Sequence, residues 1–127
     1  MATKKTVLVV DDDEDVLGAR KTKLERTGRY DVFTATGGND ALRRIRERRP
    51  DLIVCDIDMP DMDGGALPAT LQEDRTTIAV PLIFLSGLVS PTESAQGNVG
   101  GWPMLSTRSP VEQVVKKIDE LLEKKTK

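Results

Sequence analysis

Residues 50–64 read PDLIVCDIDMPDMDG. Four apolar residues, Leu52 to Cys55, stop at Asp56. A short apolar run bounded by turn residues is the pattern of a strand buried on both faces. Asp56 then sits at the carboxyl end of that strand. Asp58, Pro60, Asp61, Asp63 and Gly64 follow as an irregular acidic loop, where Pro and Gly break regular structure. An aspartate in such a place is ordinarily a turn residue or a helix cap.

Two further runs end in the same manner. Val7-Leu8-Val9-Val10 leads into Asp11-Asp12-Asp13-Glu14-Asp15, and Pro81-Leu82-Ile83-Phe84-Leu85 leads into Ser86-Gly87. Three buried strands therefore end in an acid cluster, a single carboxylate and a hydroxyl. In open parallel sheets ligands bind beyond the carboxyl ends of the strands, where the strand order reverses. The convergence marks a site where three separate turns would not.

A chain of 127 residues is long enough to bury about two-thirds of its unfolded surface, and a single domain over 1–127 is expected. With 38% apolar and 31% charged residues and a net charge of −2, no basic field points to nucleic acid. The basic run Arg43 to Arg49 reads as the solvated face of a helix whose apolar stripe is Ala41, Leu42 and Ile45. There is no apolar run long enough to span a membrane and no apolar leader before the first strand, so a cytoplasmic location is expected. One cysteine and no histidine exclude a disulfide framework and the usual zinc sites, and Cys55 reads as a small core residue.

Taken in order, Thr6 to Val10 is the first strand, and a helix is predicted from Asp13 to Thr27 with a thin stripe of Val16, Leu17, Ala19 and Leu24, ended by Gly28. Tyr30 to Ala35 alternates and reads as an edge strand; a second helix is expected over Asp40 to Arg48. A short helix through Leu67 and Leu71 should follow Gly64. Residues 87–103 hold four Gly and two Pro, with a helix around Thr92 to Gln96 expected. Met104 to Ser106 reads as the last strand. Pro110 opens a final helix with Val111, Val114, Val115, Ile118, Leu121 and Leu122 at helical spacing. Five strand–helix alternations predict an α/β fold: one doubly wound parallel sheet with helices on both faces.

Carboxylates gathered in one crevice repel one another and should hold a cation, and oxygen ligands favour a hard ion such as Mg²⁺. A carboxylate beside the ion can act as a nucleophile toward a phosphoryl group. Two other acid motifs compete with this reading. Asp11, Asp13 and Asp15 match the opening of an EF-hand loop, but position six is Val16 and position twelve is Thr22, so it fails. Asp56-x-Asp58 also resembles the nucleophile–acid pair of haloacid-dehalogenase-type phosphatases, in which that motif follows the first strand of a larger domain.

VLVVDDDEDV (7–16), PDLIVCDIDMPDMDG (50–64) and PLIFLSG (81–87), in this order and spacing, resemble the receiver domain of bacterial response regulators over about residues 5–122. The resemblance implies a flavodoxin-like, five-stranded parallel sheet of order 2-1-3-4-5. It implies a phosphoacceptor at Asp56, and Mg²⁺ held by Asp11, Asp12, Asp56 and the backbone carbonyl of Asp58. Ser86 would contact the phosphoryl group, and Asp58 and Leu88 would tune its persistence. Such a domain is not an enzyme in its own right. It takes phosphate from a sensor histidine kinase, a phosphotransfer protein or a small phosphodonor, and signals to a downstream protein or an output domain, with no nucleic-acid or membrane contact of its own.

The family usually reads Gly-Ala-x-x-Tyr/Phe-Leu-x-Lys-Pro near the last strand, where this chain has GGWPMLSTR (100–108). Thr107 stands at the lysine position, Arg108 at the proline and Met104 at the switch aromatic. Loss of the lysine removes a charge-assisted hydrogen bond of about 1.5–3 kcal/mol from the phosphoryl site. Two expectations follow: a working but atypical receiver in a two-component or phosphorelay system, or a pseudo-receiver that acts by protein contact with little or no phosphorylation.

Overall fold

The computed structural model describes residues 4–56, 80–87, 98–99 and 102–126. The helices expected after Gly64 and around Thr92–Gln96 lie outside the described residues, as do Asp58 and Leu88. The chain runs β1 (Lys5–Val10), α1 (Glu14–Glu25), β2 (Tyr30–Ala35), α2 (Gly38–Glu47), β3 (Leu52–Asp56), β4 (Leu82–Ser86), β5 (Asn98–Val99), β6 (Trp102–Ser106) and α3 (Val111–Thr126). The sheet order is β2-β1-β3-β4-β6-β5. Five of these strands are parallel, in the expected order 2-1-3-4-5, with β6 as the fifth. At the β6 edge the two-residue β5 adds an antiparallel pair, Asn98 opposite Pro103 and Val99 opposite Trp102.

The apolar runs fill both faces of the sheet. Val7, Val9, Leu52, Val54, Ile83, Leu85 and Leu105 point to the side covered by α1 and α3, where Leu17, Leu24, Ile118 and Leu122 pack on them. Leu8, Val10, Ile53, Cys55, Leu82 and Phe84 point to the other side and meet Ala41 and Ile45 of α2. Successive strand residues thus serve opposite cores, which is why β1, β3 and β4 carry almost no polar residues. Each fully buried aliphatic side chain contributes about 1.5–3 kcal/mol relative to exposure.

The helix ends depart from the sequence reading for local reasons. Asp13 is the N-cap of α1, accepting from the amides of Asp15 (2.9 Å) and Val16 (3.3 Å), so the helix proper begins one residue later. It stops at Glu25, and Gly28, at φ 74°, turns the chain toward β2. Ala19, predicted in the buried stripe, is exposed, and Arg20 lies inward of it. α2 starts at Gly38, two residues early, because Asp40 caps from inside the first turn by accepting from the Thr36 amide at 3.0 Å. β6 starts at Trp102, two residues before the expected Met104, through its pairing with β5.

Long-range polar ties close the fold. Asp51 accepts from the Thr6 amide (2.8 Å) and donates its own amide to the Thr6 carbonyl (2.8 Å), clamping the starts of β1 and β3. The Tyr30 hydroxyl donates to Asp119 Oδ1 at 2.9 Å, and Arg29 pairs with the same carboxylate, so β2 is fastened to α3. Burial pushes the Tyr30 phenol up to about 12, with the Arg29 contact opposing and the Asp119 bond adding to the rise. A phenol whose folded pKa lies above its unfolded value of about 10 stabilises the fold fully below that pH, and the contribution is lost as pH climbs toward the folded value. The chain has one tyrosine. Its phenolate absorbance should therefore titrate near 12 and shift downward in Asp119→Asn; a midpoint near that of free tyrosine would contradict this packing.

Candidate functional site

The register of the sheet sets the site. Val10 lies opposite Cys55, so the next residues along β1 and β3, Asp11 and Asp56, emerge side by side. From β1 the chain crosses outward to β2 and then back past β1 to β3, so the gap between β1 and β3 is where the strand order reverses. Asp11, Asp12 and Asp56 each bring a carboxylate oxygen within 4.8 Å of the others. Asp11 is buried, Asp56 half-buried and Asp12 exposed.

Asp11 is held from two directions. One oxygen accepts from the Asp13 amide at 2.9 Å; the other accepts from Arg20 Nη1 at 2.7 Å. The pair is sheltered, with side-chain exposures of 19% for Arg20 and 5% for Asp11. Burial strengthens the attraction and makes loss of either partner costly. Sequence reading did not single out Arg20. The available signal was its position, three residues after Leu17 and four before Leu24, on the inward stripe of α1.

Ser86 ends β4 one step beyond Leu85, the residue opposite Asp56, and is buried. Its partner in β6 is Ser106, also buried, and its carbonyl accepts from the Thr107 amide at 3.0 Å. Thr107 is exposed, and the amide of the exposed Arg108 donates to Ser106 Oγ at 3.0 Å. Met104 packs half-buried on the α2 side of the sheet. A cavity of about 570 Å³ opens on the α1–α3 side; Arg20, Thr107, Arg108 and Ser109 lie in its wall, and Val54 and Leu85 in its floor.

Hard oxygen donors fit Mg²⁺ better than any softer ion. Ligands about 2.1 Å from an octahedral ion stand about 3.0 Å apart when adjacent and about 4.2 Å apart when opposite, so the three carboxylate oxygens, within 4.8 Å of one another, would draw closer together to share one. The free thiol of Cys55, next to this cluster, is pushed up to about 12, mainly by burial and further by the charges of Asp56 and Asp11.

Residues 7–119 match the family model of the response regulator receiver domain. Among curated relatives, the alkaline phosphatase synthesis transcriptional regulatory protein PhoP of Bacillus subtilis is 38% identical over 82 residues, 65% of this chain and 33% of that protein. Protein PilG of Pseudomonas aeruginosa is 34% identical over 95 residues, 75% of this chain and 70% of that protein. The structure of the Francisella response regulator 1452 receiver domain superposes with a TM-score of 0.80 at 32% identity, covering 98% of this chain and 100% of the other. The chain spans between 33% and 41% of the length of the first transcriptional regulators it matches. No helix among the described residues is long and apolar enough to cross a membrane.

The Cys55 environment gives a direct check of the site's packing. In the folded protein its thiol should react with a neutral alkylating reagent far more slowly than in urea, with little acceleration up to pH about 9, because thiolate is scarce. Rapid labelling of the native protein would mean that β3 is not covered as described.

Proposed function

The chain belongs to the response regulator receiver domain family, and on that premise we propose that it takes a phosphoryl group on Asp56. Receivers of this family act in two-component signalling, with histidine kinases upstream and output domains or proteins downstream. The observation that carries the proposal is the meeting of Asp11, Asp12 and Asp56 at the point where the strand order reverses.

In the proposed step an Asp56 carboxylate oxygen attacks phosphorus. The new P–O bond forms as the bond from phosphorus to the donor breaks. That donor is the imidazole nitrogen of a phosphohistidine or the acyl oxygen of a small acyl phosphate, and it leaves with the electron pair. Asp11, Asp12, Asp56 and the carbonyl of Asp58 would hold Mg²⁺. When bound, the ion supplies positive charge against the phosphoryl oxygens. The Ser86 hydroxyl would donate a hydrogen bond to one of those oxygens. Thr107 brings a hydroxyl and no charge. Output would pass to another protein or domain, in a cytoplasmic setting, and no catalytic turnover beyond slow self-dephosphorylation is proposed. The pairing of Asp11 with Arg20 favours a second reading, a pseudo-receiver in which an internal cation already occupies Asp11 and which signals by contact alone.

Intact-mass measurement after incubation with Mg²⁺ and acetyl phosphate separates the two. The parent should gain one phosphoryl group, with no gain in Asp56→Asn or without Mg²⁺. Absence of any gain, together with no binding of beryllofluoride in the presence of Mg²⁺, would leave the contact module as the function.

A further inference from the structure

Leu17, Arg20 and Leu24 lie three and four residues apart and so share one face of α1. Both leucines are buried against the sheet, while the place between them holds an arginine with little exposure. A guanidinium on a core-facing stripe loses hydration, and this is tolerated only where a partner compensates. Here the partner is Asp11, at 2.7 Å, and the arginine head therefore ends at the acid cluster. A second observation is independent of the first. Arg20 from α1 and Thr107 from the segment after β6 border the same cavity, so the arginine reaches the space beside the position at which the family carries a lysine.

We infer that Arg20 supplies from α1 the positive charge that residue 107 does not. This rests on the phosphoacceptor reading of Asp56. In the unmodified protein the guanidinium neutralises Asp11 and so competes with a divalent cation for that carboxylate. Once Asp11 turns to the cation, the guanidinium is released beside Asp56, with the adjoining cavity giving it room to move. Its planar fork of donors suits two oxygens of a phosphoryl group. The charge has changed its element of origin while its destination is kept, and the acid site is never without a cation.

The test uses the full chain and three readouts: Mg²⁺ affinity by calorimetry, beryllofluoride affinity at saturating Mg²⁺, and the rate of phosphoryl gain from acetyl phosphate. Arg20→Met should tighten Mg²⁺ binding, while weakening beryllofluoride binding and slowing phosphoryl gain by about tenfold or more, the worth of one charge-assisted hydrogen bond. Thr107→Lys should restore the last two in the Arg20→Met background and give a much smaller gain in the parent. Arg20→Lys should fall between parent and Arg20→Met, and Arg108→Met should leave all three unchanged. If Arg20→Met fails to fold, Arg20→Gln carries the same comparison. Equal gains from Thr107→Lys with and without Arg20, or losses in Arg108→Met in place of Arg20→Met, would overturn the assignment. A parent that binds both probes while Arg20→Met matches it would overturn the role of Arg20 alone. A parent that binds neither probe would overturn the phosphoacceptor reading and the role of Arg20 with it.

Discussion

Asp11 and Asp56 are neighbours because β1 and β3 are parallel, adjacent and buried on both faces. Neither strand can slip by one residue without sending each apolar side chain to the opposite core and breaking the Thr6–Asp51 clamp at their starts. The register is thus enforced by two cores and a pair of hydrogen bonds, and the two carboxylates have no freedom to separate. Like charges held together in a partly desolvated place are unfavourable by themselves. The sheet imposes that repulsion, and the rest of the site is arranged to meet it.

The protein answers with hydrogen bonds and an internal cation. The Asp13 amide and the Arg20 guanidinium between them occupy both oxygens of Asp11. Elsewhere in the described residues the cations lie mostly on the surface, where Arg43 pairs with Asp40 and Glu47, and Arg48 stacks over Phe33 at 5.3 Å. Pairs of that exposed kind contribute little, about 0–1 kcal/mol each. The sheltered Arg20–Asp11 contact has a different character, since it ties the covering helix α1 directly to the end of β1. A change in what Asp11 binds is therefore felt first by α1.

Much of this is legible in the amino-acid sequence. Apolar runs long enough to be strands and too polar-poor to have a solvent face mark β1, β3 and β4 as central, and the acids that follow or end β1 and β3, with the hydroxyl that ends β4, mark the candidate site. The edge position of β2 is visible in its mixed pattern: Tyr30 and Val32 are buried in one core and Ala35 in the other, while Asp31 is exposed and Phe33 and Thr34 are half-buried. Arg20 was not legible because helical pattern reading treats a charge as evidence for the solvent face. Only the carboxylate at the far end of the side chain makes an inward arginine acceptable, and that carboxylate belongs to another element. Ala19 reads as inward for a different reason: with so few apolar residues on α1 the helical period is underdetermined, and the residue is in fact exposed. β5 escaped notice because two residues carry no alternation. The two extra residues of α2 were hidden because Asp40 does its capping from within the helix.

The fastening of Tyr30 to Asp119 joins residues 89 positions apart in the chain. It has a consequence for how the molecule is made. During synthesis, β1, β2 and α1 are complete long before Asp119 exists. Until α3 emerges, the Tyr30 hydroxyl lacks its carboxylate partner, and the sheet face carrying Val54, Ile83, Leu85 and Leu105 lacks Ile118 and Leu122. The nascent chain thus carries a growing apolar face from the making of β3 until α3 emerges, an interval in which such surfaces recruit chaperones or each other. α3 follows every described strand of the sheet, so this face of the core is covered only after all of those strands have been made.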